Sequence, residues 1–82
     1  MRLDKFLQVS RIVKRRTVAN SICNSGKILV NGQKAKAGKE LATGDTLTLT
    51  FGEDHEQVCE VVEIPSGKVS KEKALTLYRI ID

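Results

Sequence analysis

Aromatic side chains are scarce in this chain: no Trp, one Tyr and two Phe in 82 residues. A platform that stacks single-stranded bases needs several aromatic faces, so that mode of nucleic-acid recognition is excluded. Long apolar runs are missing as well, and none approaches the roughly 18 residues of a membrane span. The opening stretch MRLDKFLQVS mixes charge among its apolar residues and lacks the continuous apolar segment of a secretory signal. The two cysteines, Cys23 and Cys59, stand far apart with no CxxC pair and no nearby His, so no metal site is expected. Each has an apolar neighbour, Ile22 or Val58, and reads as a small reduced core residue. A second core has no room at 9.1 kDa, so residues 1–82 are expected to form one domain. These shortages argue against a multidomain enzyme, a membrane protein and an exported precursor. They leave a small soluble cytoplasmic domain, expected to be monomeric.

Positive charge is plentiful and unevenly placed. The formal net charge is +4, yet residues 1–40 carry ten basic and two acidic side chains while residues 41–82 carry four basic and eight acidic. A half-chain this basic makes a local field that attracts phosphate whatever the total charge. The plain alternative is an ordinary solvated surface. With so few aromatics, contacts to phosphate and to the shape of helical RNA or DNA fit better than base stacking.

The hydrophobic pattern changes period along the chain. Leu3, Phe6 and Leu7 recur at helical spacing and Ser10 extends their stripe, with Arg2, Asp4, Lys5 and Gln8 turned away, which predicts a helix over 3–10. The basic stretch 11–16 leads into a second helix whose apolar face is Val18, Ala19, Ile22 and Cys23, stopped by Gly26. Residues 27–30 read as a short strand, Asn31-Gly32 as a hairpin turn and 34–36 as the return strand. Thr43-Gly44-Asp45 marks another turn. Thr46 to Phe51 alternates strictly, with Leu47, Leu49 and Phe51 on one face. Residues 52–56 form a polar, acidic connection. Residues 57–64 form a strand whose imperfect alternation fits either a bulge or burial on both faces. After Pro65-Ser66-Gly67, Ser70 caps a helical turn over 71–75, and 78–81 is an edge strand. The expected class is α+β, two N-terminal helices packed on a small, mainly antiparallel sheet. Its core is expected to be Leu3, Phe6, Leu7, Val18, Ile22, Ile28, Val30, Leu47, Leu49 and Val62.

Catalysis finds little support. His55, the single histidine, lies between Asp54 and Glu56 in an expected hairpin tip, where it has neither cleft nor orienting partner. The nearby acids lack the spacing of a calcium loop, and no glycine run resembles a phosphate cradle. No cofactor is expected. The Lys14-Arg15-Arg16 cluster is more informative, because it stands at the start of the second helix, where the helix dipole disfavours cations by a few tenths to ~1 kcal/mol each. Free N–H groups and guanidinium forks there would suit a phosphate; an exposed interhelix connection is the other reading. Arg2 and Lys5, three apart, project together. Asp4 either holds one of the basic groups in position or is simply a favourable acid in a first helical turn. Lys34 and Lys36 fall on one side of the return strand, and either continue the basic face or line a solvated edge.

Several of these segments together resemble a known family. RLDKFL at 2–7, SR at 10–11, KRRTVANSICNSGKILVNGQ at 14–33 and ATGD at 42–45 resemble the S4-type RNA-binding domain. The likeness covers about residues 1–51, leaving 57–82 as additional strands and a helical turn. Within that family, QVSRIVKRR at 8–16 and the lack of a long basic tail resemble the RqcP family more than the related heat-shock RNA-binding proteins. The resemblance implies an S4 (alpha-L) fold and a non-enzymatic role in ribosome-associated quality control. It implies binding to the rRNA of stalled large ribosomal subunits and to P-site tRNA, and action with an RqcH-type protein during C-terminal alanine tailing. By position it carries RNA contact to Arg2, Arg11, Lys14, Arg15 and Arg16, with Asp4 at the family's acidic position and Lys5 also matching. A heat-shock-type ribosome recycling factor, a basic protein-interaction module and a detached domain of an RNA-modifying enzyme are the alternatives.

Overall fold

A computed structural model describes residues 1–51 and 55–81. Two helices, α1 (Leu3–Val9) and α2 (Arg16–Asn24), precede strands β1 (Ile28–Val30), β2 (Gln33–Lys34), β3 (Thr46–Phe51) and β4 (His55–Val61). A single-turn helix α3 (Lys71–Ala74) and strand β5 (Tyr78–Ile81) complete the fold. The strands form one antiparallel sheet in the order β2-β1-β3-β4-β5. The expected α+β layout is present.

Local chemistry accounts for the turns. Asn31 and Gly32 both take positive φ, 52° and 83°, as a tight two-residue hairpin between β1 and β2 requires. Asn31 does more than turn the chain. Its Nδ2 donates to Asp45 Oδ1 at 3.1 Å and its Oδ1 accepts from the Thr46 amide at 2.9 Å, tying the hairpin to the Thr43–Asp45 turn. Helix α2 ends in a Schellman arrangement: Gly26 has φ 78°, its amide donates to the Cys23 carbonyl, and the Lys27 amide donates to that of Ile22. Ser70 caps α3, accepting from the Lys73 amide at 3.1 Å.

The core lies between the helices and the sheet. Leu3, Phe6 and Leu7 of α1 meet Ala19 and Cys23 of α2 over Ile28, Val30, Leu47, Leu49, Cys59, Val61 and Leu77. Both cysteines are free and fully buried, and burial pushes each thiol up to about 11, Asp4's charge adding to the effect at Cys23.

Several expectations are corrected. Val18 and Val62 are 45% and 43% exposed rather than core. Helix α2 presents Ala19 and Cys23, four apart, to the core, and Val18 lies one step, about 100°, round the helix. In β4 the buried side chains are Cys59 and Val61, so Val62 continues onto the opposite side; the ladder with β3 runs in unbroken register with no bulge. Ile22 is only partly buried against the core. The return strand is confined to Gln33–Lys34. His55 and Glu56 belong to β4, with His55 paired to Phe51, and not to a loop. The rest of the expected acidic connection, residues 52–54, and the face assigned to the Phe51 side chain lie outside the described residues. Among the described residues no helix is long and apolar enough to cross a membrane.

Candidate nucleic-acid interface

Asp4 does not face away. Its side chain is 2% exposed, the consequence of α2 packing across α1. A carboxylate taken out of water needs partners, and three side chains supply them. Arg2 Nε donates to Oδ1 at 3.2 Å, while Arg16 Nε and Asn20 Nδ2 donate to Oδ2 at 3.5 and 3.3 Å. Burial by itself would raise the Asp4 pKa; the Asn20 hydrogen bond and the charges of Arg16 and Arg2 together outweigh it and hold the carboxyl below its ordinary value. Asp4 is therefore ionised at neutral pH. It holds two guanidinium groups that are about half exposed, 48% for Arg2 and 46% for Arg16. Of the two readings of Asp4, the geometry favours the positioning one. Arg2, Asp4, Arg16, Thr17 and Asn20 line an open depression of about 400 Å³.

The hydrogen bonds continue along α2. Arg16, Asn20 and Asn24, spaced by four, stand in one row of the helix. Asn24 Nδ2 donates to Asn20 Oδ1 at 3.1 Å, and Asn24 Oδ1 accepts from the Ala37 amide at 3.1 Å. Lys36 Nζ reaches the Asn24 carbonyl at 3.5 Å. On the other side, the Leu3 and Asp4 amides donate to the Lys39 and Ala37 carbonyls at 2.8 and 3.2 Å, docking the start of α1 on the same segment. The 35–39 segment is thus fixed to both helices. Sequence reading missed Asn20 and Asn24, whose signal was their four-residue spacing from Arg16.

The expected site residues fall into groups. Arg2, Asp4 and Arg16 come together. Lys34 and Lys36 share a second groove, of about 510 Å³, with Lys39, which sequence reading did not single out. Lys14 and Arg15 are exposed at the entry to α2, and Arg15 is its N-cap, with no side-chain cap and no acid in the first turn. The Lys14-Arg15-Arg16 cluster is therefore split, Arg16 turned back on Asp4 and the other two left outward. Lys5 stands apart from the Asp4 network. Arg11 follows α1 with φ 65°. Among the described residues, Lys5, Arg11, Lys14, Arg15, Lys34 and Lys39 meet no carboxylate, whereas the basic Lys73 and Arg79 of the second half pair with Glu63 and Glu60. The described residues contain no group of three or more His, Cys, Asp or Glu suited to a metal ion.

Residues 1–47 match the S4 domain. The chain is 51% identical to a protein of Halalkalibacterium halodurans named RQC P-site tRNA stabilizing factor, over 98% of this chain and 89% of that protein. It is 44% identical to a Bacillus subtilis protein of the same name, over 99% of this chain and 92% of that one. Among solved structures, Heat Shock Protein 15 of Vibrio cholerae, described as trimeric, superposes with a TM-score of 0.87 at 32% identity, covering 99% of this chain and 81% of its own. The fold, the matched motif and relatives aligned over nearly their whole length agree: the chain belongs to the S4 domain family, with homologues named RQC P-site tRNA stabilizing factor at 44–51% identity.

Proposed function

We propose that this protein is a non-enzymatic, cytoplasmic RNA-binding factor of ribosome-associated quality control. It acts as a monomer that binds the stalled large ribosomal subunit through rRNA and P-site tRNA, and it supports C-terminal alanine tailing by an RqcH-type protein. The observation that carries this reading is the set of cations in the S4 half that meet no carboxylate among the described residues, beside a buried Asp4 that fixes two guanidinium groups in the open. Such an arrangement suits phosphate oxygens: guanidinium forks give directed, charge-assisted donors, and the uncapped amides at the α2 N-terminus add to them. In this reading Arg2 and Arg16 are aimed by Asp4, and Arg11, Lys14 and Arg15 contact phosphates. Lys5, Lys34 and Lys36 extend the track. The names carried by the relatives aligned over nearly their whole length support the quality-control setting.

Sedimentation tests the proposal. The protein is expected to migrate with the large subunit in a sucrose gradient, more strongly when stalled peptidyl-tRNA complexes accumulate. If it stays at the top of the gradient at low salt under stalling conditions, the proposal fails. The likeness to Heat Shock Protein 15 favours one second reading, a heat-shock-type recycling factor. Deleting the gene separates the two: alanine tails on stalled chains disappear under the first reading and persist under the second.

A further inference from the structure

Arg11 sits where a glycine is expected. It follows the Ser10 C-cap of α1 with φ 65°, and its amide donates to the Gln8 carbonyl at 3.1 Å, the position at which helices commonly end in a left-handed Gly. A side chain is strained there, so a gain elsewhere must offset the cost of keeping one. The Arg11 side chain makes no hydrogen bond or ion pair among the described residues, and Arg11 is exposed, so internal bonding is not that gain.

Arg11 lines an open cleft of about 170 Å³ together with Gln8, Val9, Lys68 and Val69. Lys68 comes from the segment before α3, outside the stretch that matches the S4 domain. The second half of the chain is rich in acids, and two of them, Glu63 and Glu60, pair with its own Lys73 and Arg79. Lys68 instead makes no ion pair and lines the cleft with Arg11, and no carboxylate among the described residues lines it. Two like charges brought together without an acid repel each other, and an anion between them removes the repulsion.

We propose that Arg11 and Lys68 form a phosphate-binding cleft for a phosphodiester of the bound RNA, so that the interface extends beyond the S4 motif onto the C-terminal segment. Arg11 supplies a planar fork and Lys68 a point charge, and Gln8 is the other polar residue that lines the cleft. The proposal rests on the RNA-binding reading above, and it adds a contact that the S4 motif alone does not contain.

The test measures binding of the full chain to purified large ribosomal subunits and to unfractionated tRNA across a salt series. Arg11→Gly and Lys68→Ala are compared with Arg15→Ala. For Arg11→Gly the log–log salt slope is expected to fall by about 0.7–0.9, the value for one phosphate contact, on at least one of the two RNAs. Lys68→Ala is expected to do the same. The melting temperature of Arg11→Gly should be unchanged or a few degrees higher, since glycine suits the backbone there. A merely structural Arg11 would give the opposite, a lower melting temperature with an unchanged slope, and that result overturns the cleft. Unchanged slopes for both cleft variants, with a reduced slope for Arg15→Ala, also overturn it while sparing the RNA-binding reading. If Arg15→Ala leaves the slope unchanged as well, both fall.

Discussion

Replacing Asp4 with Asn separates positioning from simple charge. The substitution raises the net charge from +4 to +5. If the basic half attracted RNA only through its total field, binding should tighten. The structure gives the other answer. Arg2 Nη2, Arg16 Nε and Asn20 Nδ2 all donate to Oδ2, and Arg2 Nε to Oδ1. An amide that keeps its oxygen in the Oδ2 place turns its NH2 toward Arg2 Nε and removes the negative charge between the two guanidinium groups. Arg2 loses its Nε acceptor and both guanidinium groups lose the charge that anchors them, and RNA affinity is expected to fall despite the added positive charge. Stability falls too. Breaking a fully buried pair costs ~3–5 kcal/mol, but both arginines are about half exposed and water takes over part of their solvation, which brings the expected loss to about 1.5 kcal/mol. For a domain of this size that is roughly 6–12 °C in melting temperature. Acid behaviour supplies a third reading. The folded-state pKa of Asp4 lies below its ordinary value, so its contribution to stability is present above the unfolded pKa of about 3.9 and disappears as pH falls through the lower folded value. The wild type should therefore lose stability over that acid range, and the variant should lose less. Binding is read by fluorescence anisotropy with labelled tRNA at two salt concentrations, stability by thermal melts from pH 2 to 7. A variant that binds more tightly than wild type, or melts at the same temperature, would refute the positioning role.

Other outcomes follow from the same geometry. Arg15→Ala should reduce the salt slope of RNA binding by about 0.7–0.9 at unchanged melting temperature, because Arg15 is exposed and meets no carboxylate among the described residues. Arg16→Ala should reduce binding and also lower stability, by up to ~1 kcal/mol, because Asp4 loses a partner; equal melting curves for the two variants would contradict the split between them. Cys23 and Cys59, each with its thiol pushed up to about 11, should resist iodoacetamide at pH 8 in the folded protein and react on unfolding, which mass spectrometry would read. Asn24→Ala leaves the Ala37 amide without its acceptor and should cost about 1 kcal/mol. Hydrogen exchange should show faster exchange at Ala37, and unchanged exchange there would count against the link between α2 and the 35–39 segment.

Much of the fold was legible because its signals are local. The Leu3-Phe6-Leu7 stripe, the Asn31-Gly32 turn, Gly26 after α2 and the alternation from Thr46 each act within a few residues, and α1, the end of α2, β1 and β3 stand where they are expected. The misses are tertiary. A charged residue in a short helix is normally solvated, so the pattern turns Asp4 outward; its burial depends on Arg16 and Asn20, twelve and sixteen residues away. Val18 and Ala19 both fit an apolar face, and only the packing of α2 against α1 chooses the smaller. Val62 reads as core because the 57–64 run has apolar residues at both parities, and the pairing of β4 with β3 and β5 decides between them. For the site, Lys14, Arg15 and Arg16 stand out through their clustering in sequence, and Arg2 through its spacing from Lys5. Lys39 and Lys68 joined the basic surface only through folding, and nothing local marks Arg11 for positive φ.

The most direct test of the central claim is cross-linking of the protein to RNA in growing cells, with the positions mapped on both partners. Cross-links from the surface around Arg2, Arg11, Lys14 and Arg15 to large-subunit rRNA and to tRNA, enriched when translation stalls, are the predicted result. Cross-links spread over messenger RNA or the small subunit, or an absence of RNA cross-links from that surface, would contradict it.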